Sequence, residues 1–134
     1  MTDFLAPPDD TFARGSKAGQ VTDDFSVAYM TLKEVVAQGK LDDQTALAGL
    51  LKWADIPAYF DHFAGPTTKA SVRALKGEDI QSDVFVPCNE NRRASNGAAM
   101  KASPIALLSG GDIDKAIDYS IIAGKITHGN NIAL

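Results

Sequence analysis

The segment Val21-Thr22-Asp23-Asp24-Phe25 places a hydroxyl and two carboxylates on consecutive residues, at the entrance to a stretch with apolar patterning. Hard cations such as Mg2+ or Mn2+ take oxygen ligands. Residues around a helix N-cap can aim several oxygens at one point because the backbone has not yet closed its turn. The same residues also suit ordinary helix initiation, with Thr or Asp as N-cap and carboxylates facing the positive end of the helix dipole. Three oxygen-bearing residues cannot complete one octahedral shell, let alone two.

A second group, Arg93-Ala94-Ser95-Asn96-Gly97-Ala98-Ala99-Met100, leads small and polar residues into a helix. Gly and Ala let a ligand approach the backbone, and free N–H groups at a helix start favour an anion such as phosphate; a simple Asn-Gly turn is the plainer reading. Lys125-Ile126-Thr127-His128-Gly129 sets a histidine just past a helix end. There it can meet a ribose or base, ligate metal, or sit at the negative end of the dipole. Phe63-Ala64-Gly65-Pro66-Thr67-Thr68 is a further loop-to-helix junction, equally readable as a turn and cap. Two acidic pairs are set aside. Asp112-Ile113-Asp114 reads as a helix cap followed by Lys115, and Asp9-Asp10 lies in a Pro-rich stretch without calcium-loop spacing. Phosphate-loop, nucleophile-elbow and His-Glu-x-x-His patterns are absent from the sequence.

These junctions need elements to hold them. The chain has 134 residues, 45% hydrophobic and 22% charged, the balance of one globular domain. A domain of this size buries roughly 65–70% of its unfolded surface, so no disulfide or structural metal is required. Thirteen Lys and Arg stand against seventeen Asp and Glu, for a net charge of −4, with Arg92-Arg93 the one adjacent basic pair. Nucleic acid is therefore not an expected partner. The single Cys88 excludes an internal disulfide and a Cys-based zinc site, and fits a reducing cytoplasm. The start lacks a basic region followed by an apolar one, and no run of about 18 uncharged apolar residues occurs, so neither export nor a membrane span is expected.

Residues 1–21 read as an irregular segment, and 22–134 as a helical region. Phe25, Ala28, Tyr29, Leu32, Val35 and Val36 share one helical face, ended by Gly39. A second helix starts near Asp42-Asp43 and turns Ala46, Leu47, Leu50, Leu51 and Ala54 inward, with Pro57 as its limit. Thr67 or Thr68 caps a third helix through Val72 and Leu75. Residues 77–97 form a long loop containing Val84-Phe85-Val86. A fourth helix covers Ala98 to Leu108, kinked or started at Pro104. After Ser109-Gly110-Gly111, a fifth begins at Asp112, burying Ile113, Ala116, Ile117 and Ile121 on its way to Ile126; Asn130 is a candidate cap beyond it. The fold class is all-α, a compact multi-helix domain.

In this order, Thr-Asp-Asp, Gly-Pro-Thr-Thr, Ser-Asn-Gly-Ala-Ala-Met-Lys with a following Pro, and Thr-His-Gly resemble the ADP-ribosylglycohydrolase family over about residues 20–134. The resemblance implies an all-α domain around a binuclear Mg2+ or Mn2+ centre that hydrolyses the glycosidic bond joining ADP-ribose to a protein side chain or related acceptor. It makes Thr22, Asp23 and Asp24 metal ligands. Ser95, Asn96, Gly97 and Met100 would line the ADP-ribose cleft, His128 would border the adenosine or ribose, and Gly65 and Thr67 would flank the entrance.

Phe25 stands where the family commonly has another Thr, and an Asp-x-Asp-Thr cluster does not occur before Leu134. The N-terminal helix that normally precedes Thr-Asp-Asp has no evident counterpart in residues 1–19, so the chain reads as the central portion of that fold. Two divalent ions on three ligands would repel each other with too few carboxylates to offset it, so one ion is the most these residues are expected to hold. Apolar faces left uncovered would favour association with a second copy or a complementing chain. The alternatives to a hydrolase are a partial ADP-ribose-binding module and a helical assembly protein without catalysis.

Overall fold

The structure, a computed structural model, describes residues 3–78, 95–102, 104–129 and 132–134. Val84-Phe85-Val86, Cys88, Arg92-Arg93, Ala94 and Asn130 lie outside the described residues. The described residues form seven helices and no strand, an all-α fold. They are α1 (Asp23–Gln38), α2 (Asp43–Ala54), α3 (Pro57–Phe63), α4 (Pro66–Leu75), α5 (Ala99–Ala102), α6 (Ile105–Ser109) and α7 (Ile113–Lys125). No helix among them is long and apolar enough to cross a membrane.

Neighbours α1 and α2, joined by a short connection, make the most extensive helix–helix contact among the described residues. Gly39, at φ 72°, closes α1 by donating its N–H to Val35 O at 2.8 Å. The Asp42 carboxylate then caps α2 by accepting from Thr45 N at 2.8 Å. The face that α1 turns inward differs from the expected one. Ala28 and Val35 are buried and Leu32 is half-buried, but Phe25, Tyr29 and Val36 are exposed, while Ser26, Val27, Thr31 and Glu34 are buried instead.

The reason is polar pairing and close approach. Trp53 Nε1 donates to Ser26 Oγ at 2.9 Å, and Lys52 Nζ meets Glu34 Oε1 at 2.6 Å. Gly49 lets the backbones nearly touch, since a Cβ there would stand 2.6 Å from Thr31 Cα. A pattern of hydrophobicity cannot register this kind of face.

Two apolar clusters fill the interior. Val27, Leu50, Trp53, Ala54, Ala64 and Val72 make one; Val35, Leu41, Ala46, Ile105 and Ala123 make the other; Ile126 packs against both. Pro57 does not only limit α2: it occupies the first turn of α3, where its missing N–H costs nothing. Pro66 does the same for α4, so Gly65 rather than Thr67 or Thr68 holds the cap position. Pro104 splits the expected fourth helix into α5 and α6.

Asp112 caps α7 by accepting from Lys115 N at 3.0 Å, as its spacing predicts. The buried face of α7 is again displaced. Ile113, Ile117 and Ile121 are exposed and Ala116 is half-buried, whereas Ala123 and Gly124 are buried. Small residues set that contact: a Cβ on Gly124 would lie 3.2 Å from Ala98 Cβ, so α7 approaches the start of α5 at its glycine. Ahead of the bundle, Phe12 reaches the Phe63 ring at 6.3 Å between centroids, and Gln20 Nε2 donates to Ala58 O at 3.3 Å.

Candidate functional site

Thr22 takes the N-cap position of α1, but its side chain makes no capping hydrogen bond. Its hydroxyl instead donates to Asp24 Oδ2 at 3.2 Å. Two oxygens of the Thr-Asp-Asp run are thus turned towards each other. Burial and then the neighbouring Asp24 charge raise the pKa of Asp23 above the ordinary carboxylate value, while hydrogen bonds to backbone N–H groups work the other way. In kind, a hydroxyl and two carboxylates are the oxygen donors a hard cation takes. Among the described residues no group of three or more His, Cys, Asp or Glu side chains gathers around a point.

The second site begins at residues 95–98, which turn into α5 with Met100 N bonded to Asn96 O at 3.0 Å. With four residues in α5, little helix dipole is available at that entrance. What the segment does have is a buried polar chain behind it. His128 follows α7, its N–H bonded to Gly124 O at 3.1 Å, and its side chain is only 1% exposed. Its Nε2 lies 2.7 Å from Ser95 Oγ and its Nδ1 lies 2.8 Å from Thr127 Oγ1. Lys101 Nζ, buried in turn, donates to the same Thr127 hydroxyl. Gly97 lies flat on the imidazole: a Cβ there would come within 2.4 Å of Cε1.

Electrostatics assign the ring a state. Burial pushes the Lys101 ammonium down to about 8, leaving it largely charged at neutral pH. Burial, and then the Lys101 charge, push His128 down to about 4, so the imidazole is neutral. The favourable interaction of an imidazolium with the end of α7, one of the readings open from sequence, therefore does not operate.

Of the ten site residues expected, the structure brings Ser95, Gly97 and His128 into contact, and it brings Thr22 and Asp24 into contact. Asn96 lies exposed in the turn beside Ser95. Met100 is half-buried and packs on the cluster containing Val27 and Trp53. Gly65 and Thr67 begin α4, whose Ser71, one turn on, donates its hydroxyl to Thr127 O at 3.2 Å. The two halves are carried by neighbouring elements, since α5 packs against both α1 and α7. On the α1 side, Asp24, Phe25, Ala28, Tyr29 and Leu32 face Pro104 and Leu107 across a cleft of about 230 Å³. Phe25 and Tyr29 stack there at 5.8 Å.

Lys101 and Thr127 were not among the residues expected to matter. Their signal was present in Ala99-Met100-Lys101 and Thr127-His128, a lysine one turn into a helix and a hydroxyl beside a histidine, but only the fold joins them.

The chain belongs to the ADP-ribosylglycohydrolase family, whose model matches residues 1–134. The match extends beyond the 20–134 suggested by the motifs alone. The chain is also similar to an uncharacterized protein of Escherichia coli (strain K12), YegU, at 30% identity over 118 residues, covering 86% of this chain and 34% of that protein. It therefore spans about a third of that relative's length.

Proposed function

We propose that this chain carries part of the site of a metal-dependent hydrolase that cleaves the glycosidic bond between ADP-ribose and an acceptor, a protein side chain or a small molecule. The observation that carries the reading is the packing of Ser95 and Gly97 onto a neutral, buried His128, on an element that also touches α1. Ser95 and Asn96, exposed in the turn before α5, bind the ligand, and Gly97, buried against the imidazole, holds that turn on the ring. The Lys101 charge behind this wall favours an anionic group such as the diphosphate.

Thr22, Asp23 and Asp24 are the residues that would hold Mg2+ or Mn2+. A divalent ion bound there supplies Lewis acidity at the ribose and at the attacking water. Three oxygen-bearing residues would not complete an octahedral shell, so water, ligand or further protein oxygens would be needed beside them. Gly65 and Thr67 border the entrance from α4. An ADP-ribose-containing molecule is the proposed partner, and the cytoplasm, where nucleotide ligands are abundant and a lone thiol stays reduced, the proposed compartment.

Calorimetric titration with ADP-ribose, with and without Mg2+, tests this. Binding that strengthens with Mg2+ supports a hydrolase site; binding indifferent to Mg2+ points to a binding module. No heat and no thermal shift at millimolar ligand would leave only a helical packing role. For the metal half, Asp23→Ala is expected to lower Mg2+ affinity at least tenfold, about 1.4 kcal/mol. Unchanged affinity together with a lower Tm would return Asp23 to helix capping.

A further inference from the structure

Ser95, His128, Thr127 and Lys101 form one line of hydrogen bonds running from the surface to a buried cation. Each link has a direction, and the directions are coupled. A lysine ammonium has three donors and no acceptor, so the Thr127 hydroxyl oxygen must accept from Lys101. Thr127 is itself buried, and its hydroxyl proton needs an acceptor. His128 Nδ1 is in place for that, 2.8 Å away.

A cationic donor on Oγ1 also makes its O–H a stronger donor and a poorer second acceptor. An N–H on Nδ1 would aim a positive hydrogen at the Lys101 side of the network. The proton of the neutral ring is thereby placed on Nε2, which donates to Ser95 Oγ at 2.7 Å. With its oxygen engaged as acceptor, exposed Ser95 has its own O–H left to point outward.

We propose that Lys101 and Thr127 are positioning residues that hold His128 as the Nε2–H tautomer, so that Ser95 presents a hydrogen-bond donor, selecting ligand atoms that only accept, such as diphosphate oxygens. The opposite tautomer would take the Ser95 proton inward and present only lone pairs, which suits a ribose hydroxyl or an amine. This deepens the proposed function and rests on it for the identity of the ligand, but the proton direction is measurable without any ligand. Burial of the ring and the charge of Lys101 both keep it neutral, so the tautomer persists well below the usual histidine range.

The test is two-bond 1H–15N NMR of the histidine-labelled chain, which holds two histidines, with His62→Gln to assign His128. A single neutral Nε2–H form is expected, lost to a tautomer mixture in Thr127→Val and restored in Thr127→Ser. ADP-ribose affinity, read by calorimetry, is expected to fall about tenfold in Thr127→Val, to recover in Thr127→Ser, and to show no added loss when Thr127→Val is combined with Ser95→Ala. Lys101→Met is expected to admit the second tautomer, and serves if Thr127→Val does not fold.

An Nδ1–H form in the unsubstituted chain overturns the proposal, as does ADP-ribose binding that depends on Ser95 but not on Thr127. An Nε2–H form in a chain that binds no ADP-ribose upholds the proton direction and instead overturns the ADP-ribose reading.

Discussion

At the scale of single residues, Gly97 and His128 depend on each other. A methyl group at residue 97 would overlap the imidazole, so Gly97→Ala is expected to cost about 1–3 kcal/mol in denaturant unfolding and to move the ring off Ser95. The ring also links stability to pH. His128 is neutral in the folded chain down to about 4, whereas in the unfolded chain it takes a proton near 6.5. The unfolded state thus binds more protons between those values, and stability falls as pH drops through that window. The contribution present above about pH 6.5 and absent below about pH 4 is roughly 3 kcal/mol. Urea titrations across that range in the chain and in His128→Phe should show the slope in the first and its loss in the second. The sequence singles the histidine out as a candidate by its place in Thr-His-Gly; its neutrality is not legible there, because that depends on tertiary burial of the ring and then on a lysine 27 residues earlier.

At the scale of elements, helix caps and breaks were the legible part. Gly39, Asp42 and Asp112 act by local backbone chemistry, and each does what its neighbours imply. Which face a helix buries was less legible. Half of the apolar stripe of α1 (Phe25, Tyr29 and Val36) and the isoleucines of α7 stay outside, because contact is decided by Gly49 against Thr31, by Ser26 against Trp53, and by Gly124 against Ala98. These are pairings between distant residues, invisible to periodicity within one helix. The contrast is testable. Gly49→Ala, forced against the backbone of α1, should lower stability by about 1–3 kcal/mol in denaturant titrations. Ile117→Lys, on the exposed stripe of α7, should change it by no more than about 0.5 kcal/mol despite introducing a charge at an apolar position. Likewise α3 has no distinct signature in the sequence, because Pro57 reads equally as a stop and as a first-turn residue, and only the packing of Phe63 chooses.

At the scale of the whole molecule, the described residues include exposed apolar groups at Phe25, Tyr29 and Leu107 beside the cleft and at Ile113, Ile117 and Ile121 along α7. Patches of this kind on an isolated domain favour association. Sedimentation velocity is expected to show a concentration-dependent rise in mass, diminished by Phe25→Ser combined with Ile117→Lys; a monomer at all concentrations would refute it. The order of the four motifs identified the family, and no single one of them would have done so. The arrangement of the candidate site is not legible from those motifs, since the line from Ser95 to Lys101 is assembled by tertiary contact. The chain's one tryptophan, Trp53, is sealed between α1 and α2 and tied to Ser26 on the first turn of α1. Its fluorescence should therefore be blue-shifted in the native state, red-shift on denaturation, and respond to any event that tugs the amino end of α1, giving an optical test, without a label, of whether added Mg2+ binds there.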